Sequence, residues 1–238
     1  MIDRLEALKQ EVCAINRELP HSGLVTLTWG NASGVDRDRG LVVIKPSGVP
    51  YAELEPERMV VVDLEGRVVE GDLRPSSDTP THILLYRGFP AIGGIAHTHS
   101  RFATAFAQAR RGIPCLGTTH ADHFHGPVPV TRPLEVAEVA DAYEAHTGRV
   151  ILERFADLDA VAVPAVLVAG HGPFAWGRDA RDALDNAVAL EAVAEMALAT
   201  FQLAGHAPEL EPHVLDRHHA RKHGPSASYG QPPRHDRP

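Results

Sequence analysis

Residues 91–112, AIGGIAHTHSRFATAFAQARRG, constrain the fold more than any other stretch. AIGGIAHTH is apolar up to its two histidines and reads as a buried strand. Ser100 then caps a helix that runs to about Arg111 and is ended by Gly112. A buried strand feeding directly into a helix calls for layers, with helices covering a sheet.

The rest of the chain repeats this alternation. Ile2, Leu5, Leu8, Val12 and Ile15 recur at steps of three and four, so residues 2–18 read as an amphipathic helix. LVTLTWG and GLVVIKPSG are β-rich and ended by glycine. MVVVDLEGRVVEG reads as a hairpin turning at Glu65-Gly66. SSDTPTHILLYRG opens a helix with Thr79 as N-cap, Pro80 in the first turn and Gly88 as a stop. Residues 134–146 read as helical, and VAVPAVLVAGHGPFAWG as a strand and a turn. Residues 178–205 form a long helix with Asp179 in its first turn and Gly205 past its end. The sum is an α/β protein whose strand order the sequence leaves open.

The chain of 238 residues carries a net charge of −8, without a basic patch for nucleic acid or a polybasic or amphipathic stretch for a membrane surface. The longest apolar run, residues 160–170, is too short to span a bilayer. The charged start reads against a signal peptide, and two cysteines, Cys13 and Cys115, suit a reducing cytoplasm. From His206 onward five Lys/Arg stand against four Asp/Glu, a balance of +1 against −9 for the remainder, together with six histidines. A disordered tail is the default for such a segment; the alternative is an arm that reaches an anion on a neighbouring subunit.

Histidine is the unusual residue, with 15 in the chain. In a strand, residues i and i+2 point the same way, so His97 and His99 can present two imidazoles to one ion. His171, at another strand-end turn in AGHGPFAWG, supplies a third. Three histidines with an open fourth position form a catalytic arrangement, and three imidazoles favour Zn2+ or another divalent transition metal. Asp78 is a fourth ligand, a nearby base, or simply a helix cap. KPSG at 45–48 ends a strand with a cation, a hydroxyl and exposed backbone. PSSDTP at 75–80 places two hydroxyls ahead of a helix N-terminus, and Asn31 sits in the glycine-flanked turn WGNASG. Together these fragments suggest a cradle for a phosphorylated ligand.

LVTLTWGN, VIKPSGV, PSSDTPTH, GGIAHTHS, GTTHAD, HGPFAWG and the later RKHG and YGQ occur in order. On these motifs the chain resembles the L-ribulose-5-phosphate 4-epimerases of the class II, zinc-dependent aldolase family, which includes the adducin head. The likeness runs from the first helix to about Gln231. It implies a central, mainly antiparallel β-sheet flanked by helices on both faces, and a cytoplasmic homotetramer with active sites at subunit boundaries. It also implies one catalytic domain over 1–231, in which 206–231 is an arm reaching the neighbouring subunit, and a disordered extension at 232–238. The implied metal ligands are His97, His99, His171 and Asp78. Related aldolases have Glu at the last position, so Asp favours epimerase. Asp122 matches the catalytic aspartate and Tyr229 the catalytic tyrosine from the adjacent subunit. Asn31, Lys45, Ser47, Gly48, Ser76 and Ser77 match substrate and phosphate contacts, and Thr118, Glu144, His218 and Arg221 further active-site positions. Ala169-Gly170 depart from the His-Ser pair expected beside His171.

The implied reaction interconverts L-ribulose 5-phosphate and D-xylulose 5-phosphate by metal-assisted retro-aldol cleavage of C3–C4 and re-addition to the other aldehyde face. The alternatives are a class II sugar-phosphate aldolase, which releases its fragments, and a non-catalytic adducin-head-like module, which would not need the three histidines.

Overall fold

Alternate residues of the central strands point to opposite faces, and two separate cores result. A computed structural model of the chain describes residues 3–223 and 227–229. Its strands are β1 (Gly30–Asp36), β2 (Leu41–Ile44), β3 (Val60–Asp63), β4 (Val68–Glu70), β5 (Gly94–Thr98), β6 (Ala165–Leu167) and β7 (Pro173–Gly177). They form one seven-stranded sheet in the order β4-β3-β2-β1-β5-β7-β6, and every neighbouring pair is antiparallel. On one face Ala32, Val43, Val61, Ala96 and Ala175 pack under α1 (Arg4–Glu18), α3 (Arg101–Gln108) and α6 (Ala180–Ala204). On the other, Val42, Val60, Ile95, Phe174 and Trp176 pack under α2 (Thr79–Gly88) and α5 (Val136–Arg154). This is the central antiparallel sheet with helices on both faces that the resemblance implies.

α6 is long and apolar enough to cross a membrane by length and composition. It instead lays Ala180, Ala183, Leu184, Ala187, Leu190, Ala194 and Ala197 onto the sheet, a stripe at helical spacing. The glycine pair in GGIAHTH has a direct reason. A Cβ at Gly93 would lie 2.0 Å from the Arg178 carbonyl oxygen, and one at Gly94 would lie 2.3 Å from the Asp179 carbonyl. Another backbone, the entry into α6, therefore approaches the start of β5 where only glycine fits.

Several expected boundaries move. Residues 24–29 are not a strand. They form turns, with the Trp29 amide donating to the Thr26 carbonyl, and the strand begins at Gly30, where β5 becomes available as a partner. The N-cap of α2 is Asp78, one residue before Thr79, and its side chain makes no capping bond. Ser100 occupies the N-cap of α3, but the capping is done from a distance: Glu191 on α6 accepts from the Phe102 and Ala103 amides at 2.8 and 2.9 Å. α3 ends at Gln108, short of Arg111. α5 continues eight residues beyond His146 to Arg154, because Gly148 is a contact and not a stop: its Cβ would lie 3.0 Å from Leu84 of α2. The tail holds a further helix, α7 (Pro212–His223), packed on the short α4 (Thr118–Ala121) of the same chain. The extension expected at 232–238 lies outside the described residues.

Candidate metal and phosphate site

β5 carries the first candidate ligand, His97. Its register places His97 opposite Asn31 on β1 and opposite Phe174 on β7. The His97 ring stacks on Phe174 with centroids 4.1 Å apart, and its Nδ1 lies 2.9 Å from the Pro173 carbonyl. Only a protonated Nδ1 can donate to that carbonyl, and a neutral ring held in this way keeps its lone pair on Nε2. His99 lies just past the end of β5. His171 sits in the turn between β6 and β7, where its amide donates to the Val168 carbonyl at 2.9 Å and Gly170 takes φ +75°. The departure at 169–170 thus supplies the residue that a left-handed turn position favours. The turn lies directly against β5, since a Cβ at Gly172 would be 2.9 Å from the Thr98 carbonyl oxygen.

The three rings make a nearly equilateral triangle, with centroids 5.0, 4.9 and 5.0 Å apart, and one nitrogen from each falls within 4.8 Å of the others. Burial, reinforced by His97 and His99, pushes His171 down to about 3, and burial also lowers His99. Both are therefore neutral at physiological pH, as a metal ligand must be. Asp78 is outside this group of three but shares its cavity. Burial raises its pKa, and His97, His82, a hydrogen bond from Asn31 and His171 together more than reverse that, leaving it lowered and ionised.

The expected phosphate residues form the rest of the same cavity, which has a volume of about 550 Å³. Pro46 bridges to Pro75, the Ser47 amide donates to the Arg74 carbonyl and the Ser76 amide to the Lys45 carbonyl, so the two expected fragments become one wall. Asn31, Lys45, Ser47, Gly48, Ser76, Ser77, Asp78, Glu144 and the three histidines all line it. Asn31 donates through Nδ2 to Asp78 at 2.6 Å and Ser76 at 3.1 Å, while its buried Oδ1 has no partner. Lys45 is 2% exposed, has no carboxylate partner among the described residues, and is lowered to about 8 by burial. An orphaned acceptor, a buried ammonium without a carboxylate partner among the described residues and three imidazoles converging on one cavity fit a divalent metal with an anionic, hydroxylated ligand.

Thr118, Asp122, His218, Arg221 and Tyr229 do not line this cavity. They gather on α4, α7 and the segment after it. Asp122 accepts from Arg221 Nε at 2.9 Å and Nη2 at 2.5 Å, and His218 Nδ1 lies 3.0 Å from it. Burial opposes ionisation of Asp122, and Arg221, His218 and Lys222 outweigh it, holding the carboxyl below its usual range. The Tyr229 ring lies 5.3 Å from the Arg221 guanidinium and 4.5 Å from the Lys222 ammonium. Within one chain the expected site is therefore two clusters.

Sequence reasoning misses Trp29 and Tyr143, which also line the cavity. Trp29 belongs to the motif TWGN, in which the polar side chains, and Asn31 above all, draw attention away from the indole. Tyr143 is next to Glu144 and 3.2 Å from His171, a contact that no spacing rule discloses.

A family model, Class II Aldolase and Adducin N-terminal domain, matches residues 10–198. Among solved structures, an L-fuculose 1-phosphate aldolase is 26% identical, with 89% of this chain and 94% of that chain covered and a TM-score of 0.76. The L-fuculose-1-phosphate aldolase of Thermus thermophilus is 26% identical, with coverage of 87% and 99% and a TM-score of 0.65. "YgbL, a putative aldolase/epimerase/decarboxylase from Klebsiella pneumoniae" is also 26% identical, with coverage of 90% and 98% and a TM-score of 0.71. With most of its length matched and a histidine triad that could hold a metal ion, the chain belongs to the class II aldolase and adducin N-terminal domain family.

Proposed function

We propose that the protein is a cytoplasmic L-ribulose-5-phosphate 4-epimerase, interconverting L-ribulose 5-phosphate and D-xylulose 5-phosphate by C3–C4 cleavage and re-addition. The observation that carries this reading is the single cavity in which three imidazoles meet a buried Lys45, without a carboxylate partner among the described residues, and the hydroxyls of Ser47, Ser76 and Ser77. Epimerisation by carbon–carbon cleavage needs both halves, one to activate the carbonyl end and one to keep the aldehyde fragment from leaving. Zn2+ or another divalent transition metal, held by His97, His99 and His171 with Asp78 as the carboxylate, would supply Lewis-acid polarisation of the sugar oxygens.

The chain's own residues do the rest. Lys45, with Ser47, Gly48, Ser76, Ser77 and Asn31, binds the phosphate and retains the fragment while it turns. Asp122 and Tyr229 exchange protons with the two faces of the aldehyde. Their cluster with Thr118, His218 and Arg221 lies apart from the cavity, so a neighbouring subunit delivers them, which is the reason for a homotetramer and for the arm at 206–231. The Arg221 pair keeps Asp122 ionised and ready to accept a proton.

The second reading is a sugar-phosphate aldolase, favoured by the 26% identity to L-fuculose 1-phosphate aldolases. Incubation with L-ribulose 5-phosphate separates the two. D-xylulose 5-phosphate should form without free glycolaldehyde phosphate, whereas accumulation of the aldehyde makes the protein an aldolase. Near-normal epimerase rates in both Asp122→Asn and Tyr229→Phe would remove those residues from the mechanism.

A further inference from the structure

α5 is not one continuous helix. Ala142 has φ −144° and ψ 74°, which interrupts the helical ladder. The next two residues, Tyr143 and Glu144, are the α5 residues that line the metal cavity. The chain after the break is held on both sides: Thr81 of α2 donates its hydroxyl to the Glu144 carbonyl at 2.6 Å, and Thr147 donates to the Tyr143 carbonyl at 2.9 Å. The break and the two hydroxyl contacts therefore agree on placing one side chain, and that side chain reaches a metal-ligand candidate. The Tyr143 hydroxyl lies 3.2 Å from His171 Nδ1, with the rings 5.9 Å apart.

The triad makes this contact informative. His97 has its Nδ1 committed to the Pro173 carbonyl, which holds ring and tautomer. His171, on a loop, has no backbone carbonyl in that role, and the phenol is its hydrogen-bond partner among the described residues. A phenol can donate to Nδ1 or accept from it. If it donates, the imidazole proton sits on Nε2 and that nitrogen loses its lone pair. If it accepts, Nε2 is free and the phenol's own O–H is left to donate elsewhere in the cavity.

We infer that Tyr143 is the positioning residue of the metal site: its oxygen accepts the His171 Nδ1 proton, reserving Nε2 for the ion and leaving the phenol O–H to donate to an oxygen of the bound ligand. It does for His171 what the Pro173 carbonyl does for His97, and the break at Ala142 exists to aim it. The inference rests on the reading of the triad as a metal site, and not on which sugar phosphate is turned over. Outer partners of this kind typically set metal affinity by about 10- to 100-fold.

The test is a metal titration. The metal-free protein is titrated with Zn2+ against a chromophoric chelator, and with Co2+ while its visible absorption is recorded. Wild type should take up one equivalent with a tetrahedral Co2+ spectrum. Tyr143→Phe keeps the ring and should leave the melting temperature of the metal-free protein unchanged, while Zn2+ affinity falls by about 10- to 100-fold and the Co2+ spectrum shifts. Thr147→Val, which loosens the backbone at Tyr143, should give a smaller loss in the same direction. Wild-type affinity and an unaltered Co2+ spectrum in Tyr143→Phe would overturn the inference with the metal site intact. A wild type that binds neither ion overturns the metal-site reading itself, and the inference with it.

Discussion

Lys45→Met should make the protein more stable and its ligand site weaker, because the lysine is strained by its burial. Burial lowers the ammonium from 10.5 to about 8, which corresponds to about 3 kcal/mol of disfavoured charge at neutral pH. Two contacts recover part of this. Nζ donates to the Pro46 carbonyl at 3.1 Å, worth about 1 kcal/mol, and lies 5.0 Å from the Tyr51 ring centroid, worth about 0.5–1 kcal/mol. Methionine has nearly the same length and no charge, so the variant should gain about 1–2 kcal/mol at pH 7, a rise in melting temperature of roughly 2–8 °C for a chain of this size. The pH dependence fixes the cause. The folded value lies below the unfolded one, so between about 8 and 10.5 the unfolded chain holds the extra proton. Wild-type stability then rises with pH, and the gap to the variant closes across that window. Calorimetric titration with L-ribulose 5-phosphate should show the opposite sign: loss of a charge-assisted hydrogen bond, about 1.5–3 kcal/mol, weakens binding by roughly 10- to 150-fold. A variant that melts lower at pH 7, or that binds the sugar phosphate as tightly as wild type, refutes the reasoning.

The purified protein should contain close to one equivalent of divalent metal, measured by elemental analysis, and chelation should abolish turnover, with His97→Ala incapable of rescue by added Zn2+. Asp122→Asn should loosen α7, since it removes the carboxylate that Arg221 and His218 grip. Hydrogen exchange should be about tenfold faster or more across 212–223 and unchanged in β5, corresponding to roughly 1.4 kcal/mol lost locally. Gly93→Ala places a methyl 2.0 Å from the Arg178 carbonyl oxygen, and thermal melting should show a loss of about 2–4 kcal/mol.

The layered α/β character was legible from local pattern alone, because period, caps and stops are properties of neighbouring residues. His97 and His99 were legible for the same reason: two-residue alternation along an extended segment turns both side chains the same way, with His99 just past the end of β5. The pairing of Lys45–Gly48 with Pro75–Asp78 was legible only as two separate fragments. The ladder from Ser47 to Arg74 and from Ser76 to Lys45, which makes them one wall, is a long-range contact with no local signal. The helical reading of 134–146 stops short of Gly148, although that glycine is the seat of Leu84 inside α5. A glycine that lets two helices touch looks the same in sequence as one that ends a helix.

What the sequence determined by itself is the chemistry on offer: imidazoles at strand ends, hydroxyls at a helix start, a lysine at the end of a strand, an asparagine in a glycine-flanked turn, and motifs in an order that a family shares. What only the tertiary structure decided is which of these groups meet. Gly172 against Thr98 brings His171 to the other two histidines, the break at Ala142 brings Tyr143 to His171, and Arg221 on α7 takes Asp122 away from the cavity into a cluster of its own. The physical reason is the same in each case. Convergence depends on close approach of segments far apart in the chain, and that approach is set by packing of the whole fold and not by any residue's immediate neighbours.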